Sequence, residues 1–141
     1  MHDAVKWISV KNILGYEVRI GDINYGGHMG NDRSLLLFQD ARIAFLEFLG
    51  FSEKNIGEDK GIIMSEAHVH FRKELFLHDR LTVDVSVEEV TTTSFTLKYT
   101  VRYLHDRAEV MNGTTKLIAY DYEKRRVARL PEMFLEKVRE G

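Results

Sequence analysis

The period of the apolar positions changes near the middle of this chain. Leu35 to Leu49 is apolar almost all round, with Leu36, Leu37, Phe38, Ala41, Ile43, Ala44, Phe45, Phe48 and Leu49. A surface helix shows a polar stripe, so this run predicts a helix enclosed by other structure. Gly50 is well placed to end it. After Gly61 the period falls to two. Ala67, Val69 and Phe71 alternate with His68, His70 and Arg72, and Leu81, Val83, Val85 and Val87 alternate with Thr82, Asp84, Ser86 and Glu88. Phe95 to Tyr103 and Val110 to Tyr120 complete four segments rich in β-branched and aromatic residues, which read as strands. Turn residues at His78-Asp79, Thr91–Thr93 and His105–Arg107 predict an antiparallel meander. Upstream, Tyr16–Ile20 alternates as a further half-buried strand. Phe51–Lys60 reads as a polar connection, and Pro131–Glu140 as a short helix with proline in its first turn.

This order predicts one antiparallel sheet covering an apolar helix, an α+β layer formed by residues 1–141 as a single domain. Such a sheet leaves an open edge, which favours pairing with a second copy.

Composition narrows the function. The net charge is −2, so no electrostatic case exists for nucleic-acid binding. There is no cysteine, which excludes disulfides, thiolate metal sites and a cysteine nucleophile, and suits a cytoplasmic setting. No apolar run approaches the roughly 20 residues of a bilayer span. Met1–Lys6 lacks the basic-then-apolar layout of a signal peptide.

The chemistry gathers in Gly21-Asp22-Ile23-Asn24-Tyr25-Gly26-Gly27-His28-Met29-Gly30-Asn31-Asp32, a polar loop just before the helix. Unpaired N–H groups at a helix start can hold a developing negative charge. Asn31 or Asp32 is the expected N-cap. His28 is a candidate base or donor, and Asp22 a candidate carboxylate or turn residue. Asp40 is a carboxylate on an apolar helix and therefore needs a partner, with Arg42 or Arg33 the ordinary choice, or faces a pocket. Glu66 is a further carboxylate candidate in a strand. His68 and His70 share a strand face. Without a visible third ligand they are read as a solvent or interface face, and no metal is expected. Tyr25 and Phe38 hint at a modest apolar pocket. Arg72, Lys73, Arg125 and Arg126 are cations suited to phosphate.

These residues resemble the hotdog-fold acyl-CoA thioesterases of the 4-hydroxybenzoyl-CoA thioesterase-like branch. That family shows Asp-x-Asp-x-x-Gly-His-Val-Asn-Asn and then a helix of the form Tyr-Phe-Glu-Glu-Ala-Arg…Phe-Leu…Gly. The matching residues here are Asp22–Asn31, Leu37-Phe38-Gln39-Asp40-Ala41-Arg42 and Phe45–Gly50. Val69–Lys73 and Leu77–Leu81 resemble the family's paired second and third strands.

The resemblance implies a hotdog fold, a five- or six-stranded antiparallel sheet wrapped round one long central helix. It implies hydrolysis of an acyl-CoA or acyl-carrier thioester without a cofactor, since coenzyme A enters as part of the substrate. It also implies a homodimer or homotetramer with sites completed between subunits, by strand residues from Glu66–Lys73 of a neighbour. From the residues and the resemblance together, the candidate catalytic set is Asp22, Asn24, His28, Asn31 (through its N–H) and Asp40, and the candidate substrate-binding set is Tyr25, Gly27, Phe38, Arg72 and Lys73.

Asn24 stands where the family has its second aspartate, and Gln39 falls near the helix carboxylate of another hotdog branch. An amide cannot accept a proton at neutral pH. Two alternatives follow: a non-catalytic acyl-CoA-binding protein, and an enoyl-CoA hydratase. Gly21-Asp22-Ile23-Asn24 begins like the hydratase motif, but the proline is missing and His28 comes one residue late.

Overall fold

The computed structural model describes residues 5–140. Residues 1–4, on which the signal-peptide reading partly rests, and residue 141 lie outside the described residues. The elements are β1 (Ser9–Glu17), a 3-10 turn (Ile20–Asp22), α1 (Asn31–Phe48), β2 (Gly61–Phe71), β3 (Arg80–Glu88), β4 (Ser94–Tyr103), β5 (Glu109–Asp121), β6 (Arg126–Val127) and α2 (Glu132–Val138). The strands form one six-stranded antiparallel sheet in the order β1-β3-β4-β5-β2, with the short β6 paired to β5. α1 packs on one face of the sheet, against β1, β3 and β4, the expected hotdog arrangement.

The alternation read from the sequence orients the sheet. Leu81, Val83, Val85 and Val87 of β3 and Phe95, Leu97, Tyr99 and Val101 of β4 are all buried. From β5, Met111, Leu117 and Ala119 join them. The residues that alternate with them in β3 and β4 are mostly polar, and of these Thr82 and Thr96 are also buried.

Four expectations need correction. The first strand begins earlier than Tyr16 and ends at Glu17, and Ile20 belongs to the 3-10 turn. The register of β1 shifts between Val10 and Leu14, where Asn12 takes φ 57°. That bulge breaks the period-2 pattern that would otherwise reveal the strand.

Second, β2 and β3 are not paired with each other. β3–β4–β5 is a true meander, but β2 pairs with β5 from Gly61↔Tyr120 to Phe71↔Met111. The chain after β2 therefore crosses to the other side of the sheet, and pairing at such sequence distance leaves no local signal.

Third, α1 is not enclosed within one chain. Ser34, Leu37, Phe38, Ala41, Arg42, Phe45 and Leu46 are buried at helical spacing, but Leu35, Leu36, Ile43 and Phe48 are exposed. One sheet can cover only one side of a helix.

Fourth, the N-cap is Gly30, and Asn31 is the first helical residue. The Gly30 N–H donates to the Asp22 carbonyl at 2.9 Å, and its carbonyl accepts from Arg33 N–H at 3.1 Å. A Cβ at Gly30 would stand 2.7 Å from Asp32 Oδ1, so the capping turn is closed around a glycine.

Helix and sheet meet at Phe38. Its ring stacks on Tyr99 with centroids 4.5 Å apart and planes within 4°. A Cβ on Gly113 of β5 would lie 2.5 Å from that ring and 2.3 Å from the His68 carbonyl oxygen. Glycine at 113 is what lets the ring reach the sheet. Beside it, the buried Arg42 donates through Nε to Glu53 at 2.9 Å and through Nη1 to Tyr99 Oη at 3.2 Å. Tyr99 Oη also bonds Thr115 Oγ1 at 2.6 Å, so the buried polar groups of this layer satisfy one another.

Candidate active site

The loop before α1 is folded by its own backbone. Gly27 N–H donates to the Asn24 carbonyl at 3.0 Å, with Gly27 at φ +78°, a turn that glycine adopts without strain. Asn24 N–H donates to the His28 carbonyl at 3.0 Å, and Ile23 and Met29 form an isolated β-bridge. Met29 N–H then donates to the Leu75 carbonyl at 2.7 Å. This last bond ties the loop to the connection between β2 and β3 and brings two distant segments to one place.

A cavity of about 360 Å³ opens where they meet. It is lined by His28, Met29, Asn31 and Ser34 from the loop and helix start, Phe71 at the end of β2, Arg72 to Leu75 from the connection, and Met111 from β5. The volume is that of a small-ligand site.

Of the candidates read from the sequence, His28, Asn31, Arg72 and Lys73 are brought together here, all from one chain. The others lie elsewhere. Asp22 is buried away from the cavity. Its Oδ2 accepts from Tyr16 Oη at 2.5 Å and from Arg19 N–H at 2.9 Å. Burial, reinforced by that hydrogen bond to Asp22, pushes the Tyr16 hydroxyl up to about 12, so it stays a donor. Asp22 thus serves the 3-10 turn. Asn24 is exposed and accepts from Gly26 N–H through Oδ1 at 2.9 Å, a turn-forming role. Tyr25 is fully exposed at the loop tip, and Gly27 makes the turn behind it.

Asp40 and Gln39 sit on the open face of α1. Arg42, the partner expected for Asp40, faces the sheet and binds Glu53 instead. Phe38 is a core residue, not a pocket residue. Glu66, His68 and His70 lie on the outer face of β2, with Glu66 4.0 Å from Lys116 Nζ. Arg125 and Arg126, just before and at the start of β6, are exposed and lie away from the cavity. Among the described residues no group of three or more His, Asp or Glu side chains has metal-binding geometry.

The cavity also holds residues the sequence reading missed. Glu74 Oε1 lies 3.9 Å from His28 Nε2, so the carboxylate beside the histidine comes from the β2–β3 connection. Its only sequence signal is its place next to Arg72-Lys73. Ser34 lines the inner wall, and its spacing from Leu37, Phe38 and Ala41 already puts it on their face.

Nδ1 is 3.3 Å from the Met29 carbonyl, which can only accept, so the tautomer that makes this contact carries its proton on Nδ1. In that tautomer Nε2, 3.9 Å from Glu74 Oε1, is an acceptor. Asn31 offers its backbone N–H at the helix start, where Gly30 supplies no side-chain cap. At the mouth, Arg72 Nε pairs with Glu109 at 2.5 Å, and Lys73 Nζ stands 5.7 Å from the Tyr103 ring centroid. The site therefore joins an imidazole, a nearby carboxylate, a backbone N–H at a helix start and two cations.

Known proteins agree with this architecture. Residues 18–138 match the family described as the thioesterase-like superfamily. Among curated proteins none matches. A solved 1,4-dihydroxy-2-naphthoyl-CoA thioesterase from Synechocystis superposes with a TM-score of 0.81 at 18% identity, over 92% of this chain and 94% of that one. A gentisyl-coenzyme A thioesterase gives 0.76 at 22% identity, over 85% and 96%. A Staphylococcus aureus protein solved in complex with CoA gives 0.80 at 19% identity, over 96% and 85%. At these identities the likeness establishes a shared fold.

Proposed function

This chain belongs to the thioesterase-like superfamily, and we propose that it hydrolyses an acyl-CoA thioester to the free acid and the thiol. The observation that carries this reading is the cavity at the start of α1, where His28 and Glu74 face the uncapped helix N-terminus.

The thioester carbonyl is set against the Asn31 N–H. Water attacks its carbon and gives a proton to His28 Nε2, while the carbonyl electrons move to the oxygen held by that N–H. Glu74 stabilises the imidazolium so formed. When the intermediate collapses the carbon–sulfur bond breaks, and the imidazolium returns the proton to the leaving thiolate. The products are the acid and free coenzyme A, with no cofactor consumed. Arg72 and Lys73 meet the phosphates at the mouth. The guanidinium of Arg72 keeps N–H donors beyond the one given to Glu109.

The non-catalytic alternative rests on the amides at Asn24 and Gln39. Both lie outside the cavity, and Glu74 supplies a carboxylate within it. Thiol release from a series of straight-chain and aromatic acyl-CoA esters tests the choice. Saturable release is expected; tight binding of the same esters without release sinks hydrolysis in favour of a carrier.

Self-association belongs to the same reading, in the cytoplasmic setting that a cysteine-free chain suits. β2 carries a strand on one edge only and exposes Met64 and Phe71, and α1 exposes Leu35, Leu36, Ile43 and Phe48. A second copy pairing along β2 removes an open edge and buries apolar surface. Light scattering at micromolar concentration is expected to give the mass of a dimer or tetramer, and a stable monomer overturns this part.

A further inference from the structure

The wall of the cavity changes character with depth. Its mouth is made of the exposed side chains of Arg72, Lys73 and Glu74. Its inner wall is Met29, Leu75, Met111 and Ser34, all buried, with Ser34 only 1% exposed. Three of these four are apolar and the fourth is a hydroxyl. Ser34 Oγ is buried and has no hydrogen-bond partner among the described residues. A helical serine commonly turns back to the carbonyl four residues before it. Ser34 does not, and the Gly30 carbonyl accepts from Arg33 N–H.

An orphaned hydroxyl in a folded protein calls for a ligand or a water to complete it. The gradient of the wall says which part of a ligand arrives there. Phosphates stay at the cationic mouth, and the thioester stops at His28 and Asn31. Only the acyl group reaches the inner wall.

We propose that Ser34 Oγ sets acyl specificity, and that the substrates are CoA esters of short acyl groups carrying a hydroxyl, which this serine hydrogen-bonds. The proposal rests on the acyl-CoA reading for the direction in which the substrate enters. In the free protein Ser34 Oγ is closed to water and unpaired, so a substrate hydroxyl that reaches it gains a hydrogen bond without having to displace one. A plain hydrocarbon chain leaves the serine unpaired and gains nothing there.

The test compares hexanoyl-CoA with its analogues hydroxylated at successive carbons, on the wild type and on Ser34→Ala. In the wild type at least one hydroxylated ester is expected to exceed hexanoyl-CoA in kcat/KM by about tenfold, the scale of one buried hydrogen bond. Ser34→Ala is expected to erase that preference while still turning over hexanoyl-CoA. Calorimetric binding of the same pairs reads the preference even if no ester is cleaved, which separates failure of this proposal from failure of the hydrolase reading. The thermal midpoint of Ser34→Ala is expected to be unchanged or higher, because the hydroxyl bonds nothing in the fold. A preference that survives Ser34→Ala, no preference in the wild type, or a lowered midpoint overturns the proposal.

Discussion

Replacing Phe38 by alanine is expected to lower the free energy of unfolding by about 3–5 kcal/mol, the range of large aromatic truncations in cores. The ring is fully buried, stacks on Tyr99, and fills the space that Gly113 leaves on the sheet. The cost follows from what surrounds the hole. Gly113 has no side chain to relax into it. Tyr99 is held in place by Arg42 and Thr115, so its ring is not free to tilt inward. The space stays open, which puts the loss toward the upper part of that range. Urea unfolding of the two proteins measures it, as a shift in midpoint at constant slope. A loss below about 0.5 kcal/mol, the scale of a surface change, contradicts the central placement of this ring. The same result decides a point of interpretation. Phe38 reads from sequence as an acyl-pocket residue, because it is aromatic and stands soon after the loop. In the fold its ring is the contact between helix and sheet.

That shift of role shows which features the sequence carried. β3, β4 and β5 were legible because each alternates strictly and is joined to the next by a short turn. α1 was legible as a helix, but its apolar outer face was not legible as exposed. Leu36 and Leu37 look alike in sequence, and only the position of the sheet makes one surface and the other core. The start of β1 was hidden by the bulge at Asn12, only its end at Tyr16–Glu17 being read, and the pairing of β2 with β5 has no local signal.

The site divides in the same way. His28 and Asn31 could be found because one loop and one helix start hold them. Arg72 and Lys73 could be named only as cations. Glu74 could not be found, because its nearness to His28 depends on the Met29–Leu75 hydrogen bond between segments more than 40 residues apart in the chain. Asp22 and Asn24 drew attention as polar groups in a catalytic-looking loop. Their hydrogen bonds show them folding that loop: Asp22 holds Tyr16 and Arg19, and Asn24 holds Gly26.

The division of labour between His28 and Glu74 gives the largest expected effect on activity. His28→Asn is expected to lower kcat for thioester hydrolysis by about 10²–10⁴-fold, the contribution of a positioned general base. Asparagine keeps a polar side chain but cannot accept the proton. Glu74→Gln is expected to cost less, about tenfold, because glutamine removes only the charge that stabilises the imidazolium. The ordering follows from geometry. With the proton on Nδ1, 3.3 Å from the Met29 carbonyl, Nε2 is the acceptor, and the 3.9 Å gap to Glu74 is too long for a direct hydrogen bond. The carboxylate therefore acts as a nearby charge and not as a relay. Coenzyme A binding should be nearly unchanged in both variants, since the proposed phosphate contacts are Arg72 and Lys73. Steady-state thiol release and calorimetric titration with coenzyme A measure the two quantities. If Glu74→Gln is the more damaging change while coenzyme A still binds, the carboxylate is the base and His28 supports it. If both variants hydrolyse thioesters as fast as the wild type, the chemistry lies outside this cavity.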